Sequence, residues 1–115
     1  MNLDKTSLTV SYTHLYKDDK GFAGFTSEGH AGYADAGYDI VCAAVSVLTV
    51  NTINSIESFT SDTFHVKQKD GYIECRFNDV LSDSSVLLMN SMILGLQEIE
   101  KDYGNEYIRL IFKEV

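Results

Sequence analysis

Thr63-Phe64-His65-Val66-Lys67-Gln68-Lys69-Asp70-Gly71-Tyr72-Ile73-Glu74-Cys75-Arg76-Phe77 is the stretch that decides the fold. Two runs rich in β-branched and aromatic residues flank Asp70-Gly71, the strongest short hairpin signal in the chain. Strands over 63–69 and 72–77 follow. Upstream, apolar residues at 40, 41, 44, 47, 48, 53 and 56 recur at helical spacing and predict a helix from Ile40 to about Ser58, with Asp39 as its N-cap. Downstream, Ser82-Asp83-Ser84-Ser85 offers several N-caps to a second helix carrying Val86, Leu87, Ile93, Leu94, Leu96 and Ile99 and ending at Tyr103-Gly104. Leu8, Val10, Tyr12, His14 and Tyr16 alternate with Ser and Thr, the period-two pattern of a half-buried strand over 6–16. A polar turn, 17–21, leads to a return strand over Phe22–Thr26, and Glu106–Lys113 is the last strand. The order strand-strand-helix-strand-strand-helix-strand predicts an α+β fold: one domain, with a mostly antiparallel five-stranded sheet packed against two helices.

The chain has 115 residues, enough for one core, so a single domain over 1–115 is expected. Seventeen acidic residues against nine basic ones leave a formal charge of −8 at neutral pH. That balance disfavours free nucleic acid, whose binding relies on basic side chains neutralising phosphates, and suits a basic protein partner. Met1-Asn2-Leu3-Asp4-Lys5 lacks the basic and apolar segments of a secretory signal. The longest apolar region, Ile40–Val50, is too short to span a bilayer, so a soluble cytoplasmic protein with no membrane partner is expected. Two cysteines, Cys42 and Cys75, cannot make a disulfide scaffold, and each is read on its own.

With Asp39 as N-cap, Cys42 occupies the third helical position. Unpaired amides and the positive end of the helix dipole there favour a thiolate, which is the nucleophile of sulfur chemistry. A small thiol packed in an apolar helix explains the same residue without chemistry. Twelve residues earlier, His30 opens a glycine-rich loop, Gly29-His30-Ala31-Gly32-Tyr33-Ala34-Asp35-Ala36-Gly37-Tyr38, that fits neither helical nor strand periodicity. A chain of that length can fold back to bring imidazole to sulfur, where it would take the thiol proton and later return it to a leaving amine. A solvated loop histidine is the alternative.

The segment from Gly29 to Ser46, with Gly-His-Ala at 29–31 and Gly-Tyr-Asp-Ile-Val-Cys-Ala-Ala-Val-Ser at 37–46, closely resembles the signature of the ribosomal-processing cysteine protease family, known as Prp. The resemblance implies that Cys42 is the nucleophile and His30 its base. It also implies removal of a short N-terminal extension, ending in an apolar aromatic stretch, from the precursor of large-subunit ribosomal protein twenty-seven. A homodimer and no cofactor are implied as well. Under that reading Asp39 and Asp35 compete to orient His30, although an N-cap role explains Asp39 equally well. Ser46, one turn beyond Cys42, reaches towards the site or bonds back to the Cys42 carbonyl. Gly29 is a candidate hinge, and Tyr33 and Tyr38 are candidate walls for an apolar substrate segment.

Cys75 sits mid-strand without a histidine or helix start nearby and reads as a packed thiol; His14 and His65 read as structural or exposed. No CxxC or HxxxH spacing suggests a metal site, and no glycine motif suggests nucleotide chemistry. The competing reading is a non-catalytic acidic ribosome-assembly module that binds a basic ribosomal protein and cuts nothing.

Overall fold

Hydrogen-bonded pairing around Asp70-Gly71 joins β3 (Phe64–Lys69) to β4 (Tyr72–Phe77) in antiparallel register, Lys69 opposite Tyr72 and Phe64 opposite Phe77. The computed structural model describes residues 11–29 and 36–115, with side chains from Ile40 on in the second segment. A second hairpin pairs β1 (Ser11–Asp18) with β2 (Gly21–Gly29) through the two-residue turn Asp19-Lys20, where the Lys20 N–H donates to Asp18 Oδ1 at 2.8 Å. β2 also pairs antiparallel with β4, and β5 (Ile108–Glu114) pairs parallel with β1. The sheet order is β3-β4-β2-β1-β5. It is thus mostly antiparallel, as expected, with one parallel pair where the chain returns from the second helix to the far edge.

Two helices, α1 (Ala36–Phe59) and α2 (Asp83–Tyr103), pack on each other and cover one face of the sheet. α1 buries Val41, Val45, Thr49, Ile53 and Ile56, a stripe at spacings of three and four. These meet Leu15, Phe25, Ile73 and Cys75 from the strands and Met89, Met92 and Leu96 from α2 in one core. Each fully buried large side chain contributes roughly 1.5–3 kcal/mol relative to exposure. Buried Thr49 and Thr52 satisfy their hydroxyls within the helix, on the carbonyls of Val45 and Leu48.

Four expectations are corrected. α1 begins at Ala36, so Asp39 is its fourth residue and not its N-cap; Gly37 falls in the first turn, where a glycine costs at most the roughly 1 kcal/mol of an interior position, and a 24-residue helix absorbs it. The apolar stretch does not stop at Val50. Ile40–Phe59, with mean hydropathy 1.5, is long and apolar enough to cross a membrane by length and composition, and here its apolar stripe serves the core. The strand expected to end at Thr26 runs on to Gly29, because Ser27, Glu28 and Gly29 keep pairing with Thr13, Tyr12 and Ser11. In β1 the alternation is present with the opposite phase: Ser11, Thr13 and Leu15 are buried under the helices, while Tyr12, His14 and Tyr16 take the other face. Small hydroxyls fit beneath the helix layer, and Thr13 Oγ1 donates to Ser27 Oγ at 3.4 Å there. The expected strand start at residue 6 lies outside the described residues, and the strand expected over 106–113 runs from Ile108 to Glu114.

The helices are tied end to start. Asp62 Oδ2 accepts hydrogen bonds from the Ser82 N–H (3.0 Å) and the Ser82 hydroxyl (2.7 Å). Ser82 caps α2 by accepting from the Ser85 N–H, and the Ser85 hydroxyl donates to Thr60 Oγ1 at 3.3 Å just beyond α1. The hydroxyls of Ser85 and Ser82 hold the Asp62 carboxyl below its ordinary value of 3.8. A carboxyl depressed on folding contributes stability that is present above the unfolded value and lost as pH falls through the folded one. Replacing Asp62 with Asn is therefore expected to lower the urea midpoint at neutral pH, with the gap to the unaltered protein closing below pH 3.8; urea titrations across pH 2–7 read it, and a gap independent of pH would contradict it.

Candidate active site

Cys42 lies on the side of α1 that also carries Val45, Ser46 and Thr49, three, four and seven residues on, and these four side chains form one wall of a cavity of about 540 Å³. The opposite side comes from the sheet: Ser11 of β1, Ser27 and Gly29 of β2, and the turn of the β3–β4 hairpin from Gln68 to Ile73. The volume is that of an ordinary small-ligand or peptide site. Its walls mix the hydroxyls of Ser11, Ser27, Ser46 and Thr49 with apolar Val45 and Val50. Among the described residues no group of three His, Cys, Asp or Glu side chains is placed to hold a metal ion.

The cavity exists because the hairpin turn is fastened to the end of β2. The Gly29 N–H donates to the Gly71 carbonyl at 2.8 Å. Gly71 has φ +71°, in the left-handed region that favours glycine, and a Cβ there would collide with the Gly29 carbonyl oxygen. No other residue fits that turn without movement of one strand. Asp70-Gly71 was legible as a hairpin; its docking against Gly29 depends on strand order and has no local signal.

Of the residues singled out from sequence, the structure brings Cys42, Ser46 and Gly29 to this cavity. Tyr38 and Asp39 belong to the first turn of α1, and His30, Tyr33 and Asp35 lie outside the described residues. Gly29, expected as a loop hinge, is instead the last residue of β2. Thr49 makes a back-bond within the helix, to the carbonyls of Val45 and Ser46. Cys42 sits at the seventh position of α1, in its second turn, so the first-turn placement expected of it does not hold. The helix dipole acts chiefly within the first turn, and the first four N–H groups of the helix belong to residues 36–39.

The two cysteines differ in setting. Cys42 is 6% exposed and opens onto the cavity, whereas Cys75 is 1% exposed on the helix-covered face of β4. Burial pushes the Cys75 thiol up to about 12. It is a core residue, as its strand position implied.

The sequence profile of a family described as cysteine protease Prp matches residues 10–109. Over 88 residues the chain is 36% identical to the ribosomal processing cysteine protease Prp of Staphylococcus aureus (strain Mu50 / ATCC 700699), across 75% of this chain and 82% of that protein. The protein of the same name from Bacillus subtilis (strain 168) is 31% identical over 91 residues, 74% of this chain and 81% of that one. The fold superposes with a TM-score of 0.82 on the crystal structure of the S. aureus ribosomal processing protease Prp in complex with a substrate peptide, at 31% identity and over 90% of this chain and 99% of the other. A second S. aureus structure, with a covalently linked product peptide, gives 0.79 at 32% identity over the same shares.

Iodoacetamide at pH 8 is expected to modify Cys42 and to leave Cys75 intact until denaturant is added; peptide mapping reads the sites, and labelling of Cys75 in the folded protein would contradict its core placement. Gly71→Ala is expected to cost about 1–3 kcal/mol of folding stability through backbone strain at a positive φ, seen as a lower urea midpoint; an unchanged midpoint would show that the turn is not fastened as described.

Proposed function

The chain belongs to the ribosomal-processing cysteine protease family, and from that premise we propose that it uses a Cys42–His30 dyad to remove the short N-terminal extension from the precursor of large-subunit ribosomal protein twenty-seven. The observation that carries the reading is the shared cavity: the thiol of Cys42 opens onto it from the helix, and β2 ends on it at Gly29, one residue before His30. The Cys42 thiolate attacks the scissile carbonyl, and its proton resides on the His30 imidazole. The imidazole passes that proton to the departing amine as the carbon–nitrogen bond breaks, leaving a thioester on Cys42. It then draws a proton from water, which cleaves the thioester and releases the extension as a free acid. A covalently linked product peptide, as in the S. aureus relative, is what such a route leaves behind.

Backbone N–H groups in the first turn of α1, one turn ahead of Cys42, are proposed to stabilise the oxyanion. With the helix starting at Ala36, the cap explanation for Asp39 falls, and orientation of His30 is the role proposed for it, with Asp35 as the other carboxylate. Ser46 faces the substrate from the cavity wall, and Tyr33 and Tyr38 are proposed to flank its apolar segment. The reading places the enzyme in the cytoplasm as a homodimer, where its charge of −8 steers a basic ribosomal precursor towards it. A module that binds without cutting would not explain a match to proteases along most of the chain.

Incubation with a peptide spanning the precursor's extension is expected to yield two fragments by mass spectrometry. Cys42→Ala is expected to abolish cleavage, and His30→Ala to slow it by about 10²–10⁴-fold, the usual contribution of a general base. An intact peptide with the unaltered protein, or full activity in either variant, would overturn the assignment.

A further inference from the structure

The helices cover one face of the sheet, and the strand registers define what the other face presents. Its two edges carry cations: Lys67 and Lys69 on β3, and Arg109 and Lys113 on β5, with Arg76 on the neighbouring strand β4. These are five of the nine basic residues of the chain; among the described strand residues, the acidic ones on the same face are Asp18, Glu28 and Glu74. The centre carries rings: Tyr12, His14 and Tyr16 on β1 and Tyr72 on β4. His14 and Tyr16 lie nearly parallel, 10° apart with centroids 6.1 Å apart.

Between the rings and Arg76 there is a hollow of about 490 Å³, bounded by Tyr16, Thr26, Tyr72, Glu74 and Arg76 and floored by Gly24. A Cβ at residue 24 would collide with the Cys75 carbonyl oxygen, so the floor has to be glycine. The Arg76 side chain is 73% exposed, and its contact with Glu74 is a long 3.9 Å, an arrangement that leaves the guanidinium available to another anion.

We propose that this open sheet face binds single-stranded RNA, with bases on the central rings, one of them in the hollow over Gly24, and phosphates along the cationic edges. Rings at the centre with cations on both sides are what a single strand requires, because its unstacked bases offer flat faces and its backbone offers charge. An acidic peptide would use the cations and leave the rings without a task. The charge count that disfavours nucleic acid for the chain as a whole averages over two unlike surfaces. At physiological ionic strength the Debye length is about 8 Å, which screens the carboxylates of the helix side from a ligand on this face. The inference is independent of the proposed cleavage chemistry, since none of these residues lies in the dyad.

The test is fluorescence anisotropy of a labelled oligouridine titrated with the full chain, alongside Tyr16→Ala, Tyr16→Phe and Lys113→Glu, with peptide cleavage and sedimentation measured for each. Binding is expected to weaken about tenfold in Tyr16→Ala and to be retained in Tyr16→Phe, which keeps the ring. Lys113→Glu is expected to reduce the slope of log affinity against log salt by roughly 0.7 or more, with cleavage unchanged in all three. No binding up to roughly 100 µM protein, the weak end of non-specific affinity, would overturn the proposal. So would polyglutamate binding as tightly as RNA and indifferently to Tyr16→Ala. A change of oligomeric state in Lys113→Glu would also overturn it, by making a second copy of the chain the occupant.

Discussion

The rotation of α1 about its own axis governs the rest of the molecule. Its buried stripe, Val41, Val45, Thr49, Ile53 and Ile56, allows one seating on the sheet, because turning the helix would expose those side chains and bury Asn51, Asn54 and Glu57. That seating aims Cys42 and Ser46 at the cavity beside β1 and β2 and not at the core or the solvent beyond α2. Chemistry at the site is therefore a by-product of packing: residues that hold the helix down and residues that line the cavity interleave on neighbouring positions of the same turns.

The sheet completes the cavity through backbone, not side chains. The contact between Gly29 and Gly71 joins the end of β2 to the β3–β4 turn and requires glycine at 71 for both its φ and its lack of a Cβ. The chain emerging from β2 towards His30 thus starts from a position held by a backbone hydrogen bond.

One-sided coverage of the sheet has a second consequence. Strand alternation sends every other residue to the uncovered face, so the molecule presents an acidic helical side with the Cys42 cavity at its margin and a basic, aromatic sheet side. A net charge conceals such a division.

The local grammar of the chain was legible: Asp70-Gly71 marked its hairpin, Ser82 and Gly104 marked the ends of α2, and the motif from Gly29 to Ser46 carried the family. Where reading failed, non-local energies had decided. Gly37 looked like a loop residue, yet tertiary packing of a 24-residue helix outweighs the small cost of one glycine. Tyr12, His14 and Tyr16 looked like the buried face of β1, yet the space under the helices suits Ser11 and Thr13. Propensity, caps and turn chemistry act between residues a few positions apart, so the sequence by itself determined which segments become helix or strand and in what order. Strand order, the phase of β1, the docking of the hairpin on Gly29 and the pooling of cations on one face arise between residues far apart in the chain. Only the tertiary structure decided those, because a sheet's register and a helix's seating minimise the energy of the whole core at once.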